Sequence, residues 1–282
     1  MRVLSFGEIL WDVYPDNKYI GGAPLNFAAH FVKQGGSAYM VSALGDDELG
    51  QIALNMLENW KIGTDYVTIL SEIQTGKCLV KLDESGLPSY DLLSDVAYDC
   101  IKCQIKGKEF DALYFGTLAL RSRNNLNCLS DVINNNEFKE IFVDINIRPP
   151  FYSKDTIRFA FEHATLMKIS DEELPIITKC LFDCDCDYST ATKLLSKEFG
   201  NLKMIVVTRG ENGSFANDCR SGKTYLSDAQ KVDVVSTVGA GDSYSAAFMY
   251  NYLSGRSIDE CLKQASKLSA FVVSKKDAIP EY

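Results

Sequence analysis

Short apolar runs alternate along the chain with longer stretches whose apolar positions recur at helical spacing. Val3–Phe6, Ala38–Leu44, Ala112–Phe115, Ile141–Ile145, Leu166–Ile169 and Met204–Thr208 read as strands. Leu25–Lys33, Asp47–Trp60, Asn124–Asn134, Lys154–His163 and Thr190–Phe199 read as helices. Strands that are apolar throughout, spaced by amphipathic helices, predict an α/β fold with a central, mostly parallel sheet flanked by helices. In such folds ligands bind beyond the carboxyl ends of the strands. Asp12, Asn146, Arg148, Arg209 and Gly210 fall at such ends.

One region breaks the alternation. Thr75–Asp83 and Pro88–Leu93 flank the turn Glu84-Ser85-Gly86, and Cys78, Val80 and Leu82 alternate with Lys81 and Asp83. That period-two pattern predicts a half-exposed β-hairpin. No internal repeat, low-complexity tract or linker interrupts the rest, so residues 1–282 are expected to form one domain. A net charge of −9 argues against a nucleic-acid or anionic-membrane partner, which would call for a basic face. An anionic ligand must then be met by local donors and metal ions. Met1-Arg2-Val3-Leu4 runs straight into a strand with no signal-peptide pattern, and no apolar run reaches spanning length, so a cytoplasmic location is expected. The 9 cysteines are an odd number, so no disulfide framework is expected. Cys100-x-x-Cys103 lacks a second pair at zinc-ribbon spacing and lies far from Cys180, Cys184 and Cys186, which favours reduced thiols over a structural metal. His30 and His163 have no triad context.

The densest chemistry is Ser236-Thr237-Val238-Gly239-Ala240-Gly241-Asp242-Ser243, directly before the helix-patterned Tyr244–Leu253 that Gly255 can end. Two glycines allow a sharp turn that aims successive N–H groups at one point, where a helix N-terminus stabilises an anion. Asp242 then stands beside that anion and can take a proton from an attacking hydroxyl. The residues alone leave a second reading open, a tight turn with Asp242 as a helix cap. Gly21-Gly22-Ala23-Pro24-Leu25-Asn26 likewise opens a helix, with Pro24 suited to its first turn and Asp12 shortly upstream. Amides, carboxylates and close-approach glycines suit a polyhydroxylated ligand.

Together these segments resemble the ribokinase (PfkB) family of sugar kinases, over essentially the whole chain from Gly7 to Pro280. Gly21–Ala29 and Thr237–Ser243 are similar to its two signature regions. Asp144-x-Asn-x-Arg-Pro resembles the fructokinase-like branch, as does Gly7-Glu-Ile-Leu-Trp-Asp12. Lys168-Ile-Ser-Asp-Glu-Glu173 is similar to the family's Asn-x-x-Glu motif with Ser170 in place of asparagine, and Val207–Gly213 resembles its nucleotide-side strand and turn.

The resemblance implies a ribokinase-like fold in which about residues 11–20 and 74–96 form a small β-sheet lid over the sugar. A lid excludes water, which could otherwise accept the phosphoryl group. It implies Asp242 as general base, with Gly239, Ala240 and Gly241 as the anion hole. Asp12, Gly21, Gly22 and Asn26 would grip the sugar. Arg148 would meet the sugar or the travelling phosphoryl group, or else form a surface ion pair. Lys168, Ser170, Thr208 and Gly210 would border the nucleotide, ATP, and Glu173 would help to organise hydrated Mg2+. Ala265 and Ser269 would also border it, although small residues at that spacing equally suit helix packing. The expected reaction is phosphorylation of fructose at its 6-hydroxyl. The alternatives are 2-keto-3-deoxygluconate or another small sugar, or a sugar-binding pseudokinase without turnover. The exposed lid edge could pair with a second copy, giving a homodimer. Many relatives bind a monovalent cation behind the anion hole; here Ser236 replaces an aspartate and Asp277 a glycine, which predicts weak or absent potassium activation.

Overall fold

The computed structural model describes residues 1–82 and 88–282; the predicted turn Glu84-Ser85-Gly86 lies outside them. The strands are β1 (Arg2–Phe6), β2 (Leu10–Val13), β3 (Lys18–Gly21), β4 (Ser37–Gly45), β5 (Gly63–Leu70), β6 (Gly76–Leu82) and β7 (Pro88–Leu92). They continue as β8 (Glu109–Phe115), β9 (Glu137–Asp144), β10 (Leu166–Ser170), β11 (Met204–Thr208), β12 (Ser214–Asp218) and β13 (Thr224–Ser227). The helices are α1 (Ala23–Lys33), α2 (Glu48–Asn59), α3 (Arg123–Asn135) and α4 (Lys154–His163). After these come α5 (Glu173–Phe182), α6 (Tyr188–Glu198), α7 (Ala240–Leu253) and α8 (Ile258–Val273).

The main sheet has 9 strands in the order β13-β12-β11-β10-β9-β8-β1-β4-β5. From β11 to β5 every pairing is parallel, and β12 and β13 add antiparallel strands at one edge. This is the expected α/β fold with a central, mostly parallel sheet. Period-two alternation splits its strands between two cores. In β11, Met204 and Val206 face α1, α2, α7 and α8, whereas Ile205 and Val207 face α3 to α6. In β9 and β10 the same alternation gives Phe142 and Leu166 to the first core and Val143 and Met167 to the second. Burial on both faces explains why these strands read as unbroken apolar runs.

A second sheet of 4 strands has the order β3-β2-β6-β7, with β2 and β6 parallel and the outer pairs antiparallel. Asp47, the N-cap of α2, ties the entry of β6 to the main body. It accepts from Gly50 N and Thr75 N at 2.8 Å each and from Thr75 Oγ1 at 2.7 Å. Chain order reverses between β1 and β8, the kind of switch point beyond whose carboxyl ends ligands bind in such sheets, and β2 of the second sheet follows closely on the end of β1. Among the described residues, no helix is long and apolar enough to cross a membrane.

Candidate active site

Helix α7 carries the centre of the site. It is buried on nearly all sides between α1, α8 and the sheet, which fixes its first turn. That turn starts at Gly239, whose φ of 78° lies in the left-handed region; a Cβ there would stand 2.8 Å from Ala278 O. A side chain is thus excluded on both conformational and steric grounds. Ala240 N–H turns back onto Thr237 O at 3.2 Å. The next two amides, Gly241 and Asp242, have no acceptor among the described residues. Two unsatisfied donors at a helix N-terminus are what an anion requires.

A cation stands against this cradle. Lys168 Nζ would lie 3.3 Å from a Cβ on Gly241, and it is 2.9 Å from each oxygen of Asp144. Both side chains are buried because each follows a core-facing residue by two positions, Leu166 and Phe142, at the ends of adjacent strands. Ser245 Oγ on α7 also donates to Asp144 Oδ2 at 2.8 Å. Burial opposes the Lys168 charge, but Asp144, Glu173 and Asp242 outweigh it and hold the ammonium pKa above its ordinary value.

Asp242 itself is pushed up to about 6, by burial first and then by the nearby Asp144; Asn26, Lys168 and Arg148 pull the other way. Asn26 Nδ2 donates to Asp242 Oδ2 at 2.8 Å, joining the start of α1 to the start of α7. Beside them Glu8, only 3% exposed, accepts from Ala23 N at 3.2 Å through Oε1. Its Oε2 has no partner among the described residues, and burial raises its pKa to about 7. Gly22 permits this approach: with φ at 116°, a Cβ would fall 2.4 Å from Glu8 O. Asp12, on β2, is raised to about 6 by burial. Its Oδ2 would lie 3.2 Å from a Cβ on Gly21 of the paired strand, and both residues line a cavity of about 620 Å³ between the β2–β3 hairpin, α2, Ser236 and Lys276–Ile279. Arg148 is exposed, and its charge lowers the pKa of Glu8, Asp12 and Asp242 alike.

The remaining expected residues fall on the ends of β10 and β11, the turn after β11, and helices α5 and α8. Ser170 and Thr208 are register partners at the ends of β10 and β11, and Gly210 is exposed just beyond. Glu173 Oε2 accepts from Ser170 N at 2.8 Å and Oε1 from Ile147 N at 2.7 Å, so it clamps the loop that carries Arg148. Ser269 Oγ donates to Ala240 O at 3.0 Å, touching the cradle from behind, whereas Ala265 is fully buried in the core. Sequence reasoning assigned no role to Glu8 or Asp144. The available signal was a carboxylate closing an otherwise apolar run, Phe6-Gly7-Glu8 and Phe142-Val143-Asp144.

All nine cysteines are free, and Cys103 Sγ lies 3.2 Å from Cys128 Sγ. Among the described residues, no group of three or more His, Cys, Asp or Glu side chains could hold a metal ion.

The family model described as pfkB family carbohydrate kinase matches residues 8–281. The chain is 28% identical to Fructokinase-2 of Zea mays, over 99% of this chain and 90% of that protein. It is 26% identical to 5-dehydro-2-deoxygluconokinase of Bacillus anthracis, over 93% of this chain and 83% of that one. Among solved structures, fructokinase with bound ATP from Xylella fastidiosa superposes with a TM-score of 0.85 at 19% identity, covering 99% of this chain and 94% of the other. With the fold and both signature segments in place, the chain belongs to the pfkB family of carbohydrate kinases and is an ATP-dependent sugar kinase.

Proposed function

We propose that the protein transfers the γ-phosphoryl group of ATP to the 6-hydroxyl of fructose. The observation that carries the chemistry is the Asn26–Asp242 contact at the N-terminus of α7. Asn26 occupies Oδ2 and fixes the carboxylate's orientation, so Oδ1 is available to the substrate hydroxyl. With a pKa of about 6, Asp242 is ionised at neutral pH yet basic enough to accept a proton as the hydroxyl oxygen attacks. The new O–P bond forms as the bond from the γ-phosphorus to the β-bridging oxygen breaks, and ADP leaves. The amides of Gly241 and Asp242, the last residue of the Gly239–Gly241 turn and the one after it, and Lys168 oppose the charge on the transferred group.

Asp12, Gly21, Gly22, Asn26 and Arg148 hold the sugar, with the second sheet as lid. Ser170, Thr208, Gly210 and Ser269 border the nucleotide; Ala265 supports them from the core. Mg2+ would supply charge neutralisation between the β- and γ-phosphates. Glu173 fits an outer-sphere role, because each of its oxygens already accepts one amide and keeps a second lone pair for a metal-bound water.

Fructose is supported by the maize relative. The Bacillus relative and the exposed Arg148 favour a second reading, a keto sugar acid whose carboxylate the guanidinium would fork. A coupled ADP-release assay across neutral sugars and sugar acids tests both. Fructose should give the highest kcat/KM. A sugar acid in first place would move the substrate to that class, and binding without turnover would make the protein a sensor. The edges of β3 and β7, unpaired among the described residues, suit a homodimer through the lid, which sedimentation analysis would test.

A further inference from the structure

We propose that His30 is a positioning residue for phosphoryl transfer: from α1 it holds Ala278 against Gly239 and so sets the backbone of the phosphate cradle. His30 is fully buried, with Nε2 2.9 Å from Ala278 O and Nδ1 2.8 Å from the Tyr282 hydroxyl. A carbonyl only accepts, so Nε2 carries the proton and Nδ1 accepts from Tyr282. Both contacts are made by the neutral imidazole, in keeping with a pKa that burial lowers to about 4. The charged group beside the ring is Lys33, which pairs with Glu281 at 3.2 Å and sits over the Tyr282 ring.

The carbonyl that His30 holds is the one packed on Gly239. A Cβ there would meet Ala278 O at 2.8 Å and Ala278 Cα at 3.0 Å, so this segment is the wall behind the left-handed turn. One helical turn before His30, Asn26 holds Asp242. A single stripe of α1 therefore fixes both the base and the cradle. A buried imidazole costs desolvation that an apolar residue in this position would avoid. The two hydrogen bonds give it a task that core packing does not require.

The inference rests on reading Gly239–Gly241 as the phosphate cradle, so the test carries its own reference. Binding of AMP-PNP with magnesium is measured by calorimetry for His30→Phe, His30→Gln and Gly241→Ala. His30→Phe keeps ring volume and loses both polar contacts, and is expected to weaken binding at least about tenfold, the scale set by small misplacements of catalytic groups. His30→Gln restores a donor at the Nε2 position and should stay within about threefold of the wild type, less than the loss of one hydrogen bond. With the best sugar of the substrate panel, its KM should stay within about twofold in both variants, since a change that small is under a third of a tenfold free-energy step. Wild-type binding by His30→Phe, equal damage in His30→Gln, or a parallel rise in sugar KM would each overturn the proposal. If His30→Phe does not fold, Tyr282→Phe decides: weakening of about threefold supports it and unchanged binding refutes it. Should Gly241→Ala leave AMP-PNP affinity unchanged, the cradle reading falls and the role of His30 with it.

Discussion

Asn26 Nδ2 and Asp242 Oδ2 stand 2.8 Å apart although 216 positions separate them in the chain. This contact brings the two signature segments into one site. It also gives Asn26 two proposed roles, orienting Asp242 and binding the sugar, and substitutions at Asn26 and Asp12 separate them.

Asp242→Asn should lower kcat by about 100-fold to 10,000-fold, the usual worth of a general base, while sugar affinity measured by calorimetry changes little. The amide is nearly isosteric but cannot take the proton. In the wild type, kcat/KM should fall about tenfold per unit below pH 6, because only the ionised carboxylate is a base and its pKa is about 6. Near-normal turnover by the variant would remove Asp242 from the mechanism.

Asp12→Ala and Asn26→Ala should each raise the KM of the sugar more than that of ATP. Each truncation leaves sugar hydroxyls without a buried partner, at about 1–3 kcal/mol. They should differ in kcat. Asn26→Ala also frees the Asp242 carboxylate to rotate and removes a contact that lowers its pKa, so kcat falls and its acid limb moves to higher pH. Asp12→Ala should leave that limb in place. Steady-state kinetics from pH 5.5 to 8, roughly the span around the pKa of the base, would show the contrast. Weakened ATP binding with normal sugar KM in both would reverse the assignment of the two ends.

Glu8 provides a stability test independent of substrate. Its folded-state pKa is about 7 against an ordinary 4.5, so the native state binds this proton more tightly than the unfolded chain does. The stabilisation is fully present below pH 4.5 and is lost as pH rises through 7. Between pH 5 and 8 the loss amounts to about 2–3 kcal/mol. Glu8→Gln has no proton to lose, so denaturant unfolding should show its stability rising relative to the wild type by that amount from pH 5 to 8. A difference that is constant with pH would mean that Glu8 does not titrate in this range.

What the sequence revealed and what it hid follow from the range of the interactions involved. Gly22, Pro24, Gly239 and Asp242 were legible because turn geometry and helix starts are local. The parallel core was legible because strands buried on both faces carry continuous apolar residues, as Met204–Val207 do. Helix α5 was not predicted, although Ser170, which ends β10, and Glu173, the first residue of the helix, were singled out by resemblance. The edge pair β12–β13 escaped because Ser214–Asp218 mixes polar and apolar residues, and β13 alternates exposed and half-buried positions. Asp144 sat within a recognised motif, but its pairing with Lys168 depends on β9 and β10 being neighbours, which no local pattern encodes. The same holds for Cys103 and Cys128, which the spacing of Cys100-x-x-Cys103 does not suggest.

The segment behind the cradle bears on potassium. Val235 N and Ser236 N both donate to Val273 O, at 2.9 and 3.2 Å, and Val238 N donates to Ser236 Oγ at 3.3 Å. The Ser236 hydroxyl is thus engaged by its own segment and brings no negative charge to replace the aspartate usual at this position. Asp277 does bring a charge, but it is exposed, where water competes with an ion for the carboxylate. We therefore expect weak or no activation by potassium. Turnover should be compared at matched ionic strength in potassium chloride and in tetramethylammonium chloride, with ATP and magnesium saturating, and the two rates should agree within about twofold, well under the tenfold step of 1.4 kcal/mol. Activation of about tenfold or more, equivalent to about 1.4 kcal/mol of barrier, would show that carbonyl oxygens and Asp277 suffice to bind the ion. Repeating the comparison with Asp277→Gly would then identify the carboxylate as the replacement ligand if activation disappears.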